Sequence, residues 1–208
     1  VISAPKRLFI AGIGDALATW FESQANKASD SANYVGAGYR SCLAGMAVSK
    51  MCYDILLSDA VSALRALDRG VVTEAVENII EANTLLSGLG FHNTGLSAAH
   101  GIHSGMTSLP STHKYLHGEK VSFGIVFQMI LENRPTEEVN KIMKFMVEVG
   151  LPVTLEQVGI EATEENISTL AKKTYENALI HHEPFRVTEG RVYAAIVTAD
   201  ELGKSYLK

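Results

Sequence analysis

Apolar residues recur along this chain with the roughly 3.6-residue period of a helix, and almost nowhere with the two-residue alternation of a half-buried strand. VTEAVENIIEANTLLSGLG places Val72, Val76, Ile79, Ile80, Leu85, Leu86 and Leu89 on one broad face, with glutamates opposite. PTEEVNKIMKFMVEVGLP carries start and stop signals: Pro135 and two acids in the first turn, Gly150 and Pro152 at the end. TEENISTLAKKTYENAL and EGRVYAAIVTADELGKSYL read the same way, as do residues 40–67 and 120–131. Only EPFRVTEG offers a short extended piece. No βαβ rhythm and no glycine-rich phosphate loop after a strand can be found. The expectation is an all-α, multi-helical bundle-like domain spanning residues 1–208, with about eight to ten helices.

Hydrophobic residues make up 47% of the 208 and charged ones 20%, enough to build a core. A net charge of -5, with lysines and arginines scattered singly, excludes a nucleic-acid binder. No apolar run reaches the ~20 residues of a membrane span, and no signal peptide is recognisable. Cys42 and Cys52 both fall in apolar surroundings and read as buried free thiols of a reducing, cytoplasmic compartment. The opening VISAPKRLFIAGIGD reads as the continuation of a longer polypeptide.

One segment crowds imidazoles among small apolar residues. GLSAAHGIHSGMTSLPSTHKYLHGEKV holds His100, His103, His113 and His117, four of the seven histidines. Asn93 and Thr94 are read as helix starters. His100 and His103 then lie three apart on one helix face, and His117 stands at the mouth of the next helix. Three imidazoles so placed can converge on a metal within helical layers. A divalent cation also wants an anionic ligand. Asp15, after a Gly-x-Gly, is either an N-cap or a ligand aimed inward by a tight glycine turn. Glu22 and Thr19 stand nearby. His92 reads as a turn residue, His113 as a loop residue and His181–His182 as a solvated pair. The Met and Phe stripe of EEVNKIMKFMVEV reads as core.

AGIGDALATWFES, EANTLLSGLGF, GLSAAHGIHSGMT and HGEKVSFG, in this order, resemble the C-terminal helical domain of the glycerol dehydrogenase family. These belong to the metal-dependent group III, so-called iron-containing, alcohol dehydrogenases, with a dehydroquinate synthase-like helical domain. The resemblance covers essentially the whole chain. It implies a catalytic zinc held by Asp15, His100 and His117. It implies His103 near substrate and nicotinamide as a catalytic residue, and Phe91 as an aromatic lining the nicotinamide pocket. Other group III members carry a histidine one turn after the metal aspartate. Thr19 stands there in this chain, which favours a three-ligand zinc site over a four-ligand iron site. Such a set leaves a coordination position open, where the vicinal hydroxyls of glycerol would chelate.

The implied reaction is NAD-dependent oxidation of glycerol to dihydroxyacetone, in a cytoplasmic homo-oligomer. The family's N-terminal α/β NAD-binding domain has no counterpart in these residues. The chain is therefore expected to supply the metal-binding half of the active site and to need an N-terminal partner for turnover. Two alternatives stand beside this: a dehydrogenase for another small alcohol or diol such as 1,2-propanediol, and a non-catalytic helical metal-binding or assembly module.

Overall fold

The structure, a computed structural model, describes residues 4–33 and 38–208; the first three residues, where the apparent continuation opens, and residues 34–37 lie outside it. The elements run α1 (Lys6–Ser29), α2 (Leu43–Leu67), α3 (Glu74–Glu81), a π-helical turn (Ala82–Leu86), α4 (Ser87–Thr94), α5 (Ala98–Met106), α6 (His117–Leu131), α7 (Thr136–Val149), α8 (Glu164–Glu176) and α9 (Glu189–Tyr206). α3, the π-turn and α4 continue without a break, so among the described residues nine α-helical segments make eight rods. Among the described residues there is no strand. EPFRVTEG is extended at Glu183 (φ -72°, ψ 145°) and Thr188 (φ -128°, ψ 155°) but pairs with nothing as a ladder. No helix of the described residues is long and apolar enough to cross a membrane.

Helix α6 is the axis of the fold. Every residue from Gly118 to Met129 is buried, as befits a helix that is apolar nearly all round. It packs against α1, α5 and α9. Phe123 and Phe127 are fully buried there, each worth about 1.5–3 kcal/mol of burial. Helix α1 is also buried on most sides, whereas α3 and α7 each show one apolar face. In α7, Val139, Ile142, Met143, Phe145, Met146 and Val149 are buried, so the Met and Phe stripe is core. Side-chain caps fix several starts: Thr163 Oγ1 accepts from Asn166 N and Thr188 Oγ1 from Arg191 N, at roughly 1 kcal/mol each.

The crossing of α1 over α6 positions the functional residues. A Cβ on Gly118 would stand 1.8 Å from the carbonyl oxygen of Ala11, and one on Gly14 would stand 2.7 Å from that of Gly118. The two helices therefore touch backbone to backbone, which only glycine permits. Gly14 lies inside α1, so the expected tight glycine turn is not there. Nor is Asp15 an N-cap, because α1 begins at Lys6. Burial of Phe9, Ile13, Leu17 and Phe21 outweighs the ~1 kcal/mol that each glycine costs a helix.

Three further expectations change. Asn93 and Thr94 close α4 rather than start α5, whose N-cap is Ser97. His92 sits in α4, not in a turn. Cys42 is exposed and its Sγ caps α2, accepting from Gly45 N; Cys52 is the buried thiol. Placing a methyl at Gly118 must push α1 from α6. Gly118→Ala is expected to lower stability by about 2–3 kcal/mol, read as a shift in the urea midpoint, whereas Gly190→Ala, where a Cβ meets open space, is expected to be neutral or mildly stabilising.

Candidate metal centre

Three elements bring one ligand atom each to a common point. Asp15 lies mid-way along α1. His100 is in the first turn of α5, and His117 is the first residue of α6. His100 Nε2 is 3.3 Å from Asp15 Oδ1, His117 Nε2 is 3.1 Å from the same oxygen, and the two Nε2 atoms are 3.2 Å apart. The start of α6 is anchored to α1 by Arg7, whose Nε and Nη2 meet the Glu119 carboxylate at 2.5 and 2.6 Å, while Glu119 Oε2 accepts from Leu116 N at 2.8 Å.

Glu22 organises the other side. It is two turns beyond Asp15 on the same helix face and fully buried. Its Oε1 accepts from the backbone N–H of Ser97 and His100, both at 2.9 Å, and its Oε2 is 2.7 Å from His100 Nδ1. A carboxylate can only accept, so Nδ1 carries a proton and Nε2 is the ring nitrogen turned toward Asp15 and His117. Such a carboxylate–histidine pair fixes tautomer and ring orientation. Ala99 N donates to Gln128 Oε1 at 3.2 Å and Ser97 Oγ to Glu183 Oε1 at 2.5 Å. The free N–H groups of Ser97, Ala99 and His100 at the start of α5 are thus met by side chains of α1 and α6.

The donor set fits a cation better than it fits itself. Asp15 Oδ1 is buried, and both imidazole Nε2 atoms stand within 3.3 Å of it. The three edges of 3.1–3.3 Å match the roughly 3.3 Å between ligands that tetrahedral bonds of about 2.0–2.1 Å to zinc require. Two imidazoles and a carboxylate are a borderline N/O set suited to that ion. The electrostatics point the same way. Burial opposes a charge on His100, yet the Glu22 and Asp15 carboxylates outweigh it and push the ring up to about 10. Burial likewise opposes ionisation of Asp15, yet His100 and His117 hold its carboxyl well below the usual range. The pocket favours positive charge between its carboxylates.

His103 behaves oppositely. Burial first, then the neighbouring His117, His100 and Lys120, bring it down to about 3. It is a neutral imidazole with its ring 4.2 Å from that of His117. Phe91 and His103 line the same cleft of about 370 Å³ as the trio, together with Thr19, Ser87 and Leu96. The remaining histidines stay out of it. His113 bonds Thr107 O, His181 bonds Tyr175 O, and His182, half-buried rather than solvated, bonds Leu96 O through Nδ1. Glu22, Ser87 and Glu183 were not singled out as functional in the sequence. Glu22 could have been, since its spacing from Asp15 puts both on one face once α1 is taken as continuous.

No protein-family model matches the chain. It is 46% identical to the glycerol dehydrogenase of Citrobacter freundii over 209 residues, covering 100% of the chain and 57% of that relative. It is 44% identical to the glycolaldehyde reductase of Halobacterium salinarum, covering 98% of the chain and 56% of that relative. A probable glycerol dehydrogenase from Sinorhizobium meliloti superposes with a TM-score of 0.94 at 46% identity, over 99% of the chain and 58% of that structure. The chain spans little more than half the length of these relatives. An iron-containing alcohol dehydrogenase from Thermococcus thioreducens shares the fold at TM-score 0.73 and 14% identity. The fold is thus that of the helical domain found in iron-containing alcohol dehydrogenases. Within that class the chain belongs with the glycerol dehydrogenases, matching the C-terminal half of their length.

Two outcomes are expected. Glu22→Gln replaces one of the two acceptor oxygens that orient α5 and His100 by an NH2 donor and should weaken zinc binding about 10–100-fold, measured by competition with a chelator; unchanged affinity would remove Glu22 from the site. Burial and the neighbouring Glu132 raise the Glu183 carboxyl to about 9, against its ordinary 4.5, with Ser97 opposing. The unfolded chain then releases this proton earlier than the fold, so stability declines as pH rises from about 5 to about 9. Urea midpoints should fall across that window in the wild type and less steeply in Glu183→Gln.

Proposed function

We propose that residues 1–208 form one metal-binding catalytic unit of a zinc- and NAD-dependent glycerol dehydrogenase that oxidises glycerol to dihydroxyacetone. The observation that carries this reading is the trio of Asp15, His100 and His117, whose buried carboxylate oxygen faces two imidazole nitrogens. The names of the relatives support the same chemistry. When bound, the cation supplies a Lewis acid that favours ionisation of the alcohol, and a nicotinamide supplies the hydride acceptor.

The chain's own residues divide the remaining work. Asp15, His100 and His117 hold the cation, and Glu22 fixes the tautomer of His100. His103, neutral and without a hydrogen bond to any described residue, accepts one from the substrate alcohol and orients it. Phe91 packs at the cleft mouth against the nicotinamide ring, where an apolar face helps exclude water. The chain offers no dinucleotide-binding α/β unit among its described residues, so turnover requires an N-terminal half. A cytoplasmic homo-oligomer is the setting this reading expects. The 44% identity to a protein named glycolaldehyde reductase favours, as the second reading, another small diol or hydroxyaldehyde couple such as that of 1,2-propanediol. A non-catalytic metal-binding module is the third.

Glycerol-dependent formation of NADH by the enzyme with its N-terminal half tests this directly. His103→Ala is expected to lower kcat about 100-fold while leaving zinc content unchanged. The 208-residue chain alone should give no turnover. Glycerol-dependent NAD reduction by the chain alone would overturn the half-site claim. Zinc binding without turnover in the complete enzyme would favour the non-catalytic module.

A further inference from the structure

Helical hydroxyls in this fold usually turn back onto the carbonyl one turn earlier. Ser49 bonds Gly45 O, Thr84 bonds Ile80 O, Thr94 bonds Gly90 O and Ser122 bonds Gly118 O, at 2.7–2.9 Å. Thr19 and Ser87 depart from this habit. Their side-chain hydrogen bond is to each other, Oγ1 to Oγ at 2.9 Å, and neither bonds any other described residue. Both line the cleft of the metal centre, where they are 3% and 5% exposed. Two hydroxyls carry two protons and four lone pairs. Their mutual bond uses one of each, so one O–H is left without an acceptor in the cleft wall. A buried donor in that state calls for a partner from the cleft.

The backbone is arranged to put the pair there. Thr19 follows Asp15 by one turn on the same face of α1, a rise of about 6 Å. Ser87 directly follows the π-turn, a distortion common at functional sites. Gly90 lets α4 close onto α1, because a Cβ there would stand 2.6 Å from Thr19 Cγ2. The pair is uncharged and offers both a donor and acceptors. It therefore suits a neutral hydroxyl rather than a carboxylate or phosphate.

We propose that the Thr19–Ser87 pair is a specificity subsite that receives the third hydroxyl of glycerol while the rest of the polyol is engaged at the Asp15–His100–His117 centre. Thr19 and Ser87 thereby set the preference for a triol over a diol. This rests on the reading of the trio as the zinc centre of a polyol dehydrogenase.

The test is calorimetric or NMR titration of the zinc-loaded chain with glycerol and with 1,2-propanediol, which lacks the third hydroxyl. The variants are Thr19→Val, which keeps the shape and removes the hydroxyl, and Ser87→Ala. Glycerol is expected to bind the wild type more tightly than 1,2-propanediol. Each variant should lose about tenfold in glycerol affinity and less than about twofold for 1,2-propanediol, with zinc content unchanged. Equal losses for both ligands, no loss for glycerol, or no preference in the wild type would overturn the subsite while leaving the zinc centre standing. Binding of neither ligand by the zinc-loaded wild type, indistinguishable from His117→Ala, would overturn the polyol reading and the subsite together.

Discussion

The buried carboxylate of Glu22 is the interaction on which the rest of this structure turns. Taking a charge out of water costs several kcal/mol unless its oxygens are met. Here they are met by Ser97 N, His100 N and His100 Nδ1. One side chain on α1 therefore caps α5, sets its distance from α1 and selects the tautomer of its first histidine. A neutral residue could fill the volume. It could not offset the α5 dipole and hold Nε2 of His100 toward Asp15.

The second constraint is steric. α6 can bring His117 to Asp15 only because Gly118 lies on the backbone of Ala11. Arg7 and Glu119 then lock the same end of α6 to α1. The three candidate ligands thus come from three rods, α5 held to α1 by Glu22 and α6 held to α1 by the Gly118 and Arg7–Glu119 contacts. Preorganisation of this kind lets a site hold a cation without rearrangement. The neutral His103 and the cationic tendency of His100 sit three residues apart on one helix. Their environments push them in opposite directions.

The helical class was legible because α7, α8 and α9 each carry an apolar face at helical spacing together with boundary residues. The meeting of His100, His103 and His117 was legible from their positions on one helix and at the mouth of the next. The local role of Asp15 was not. An aspartate after Gly-x-Gly reads as a cap or a turn, and only the distant pressure of α6 on Gly14 shows why glycine is there. Glu22 was visible as a neighbour of Asp15, but its partners belong to a helix some seventy-five residues later. The π-turn before Ser87 left no mark on the apolar pattern, since Leu85, Leu86 and Leu89 fit an ordinary helix equally well. Local signals name the elements; contacts distant in sequence decide which residues meet.

Metal content of the purified chain, beside Asp15→Ala and His117→Ala, tests the central claim most directly. The account predicts one tightly held zinc per chain, lost in both variants with the helical fold intact. Zinc that persists without Asp15, or a folded wild-type chain that takes up none, would contradict it.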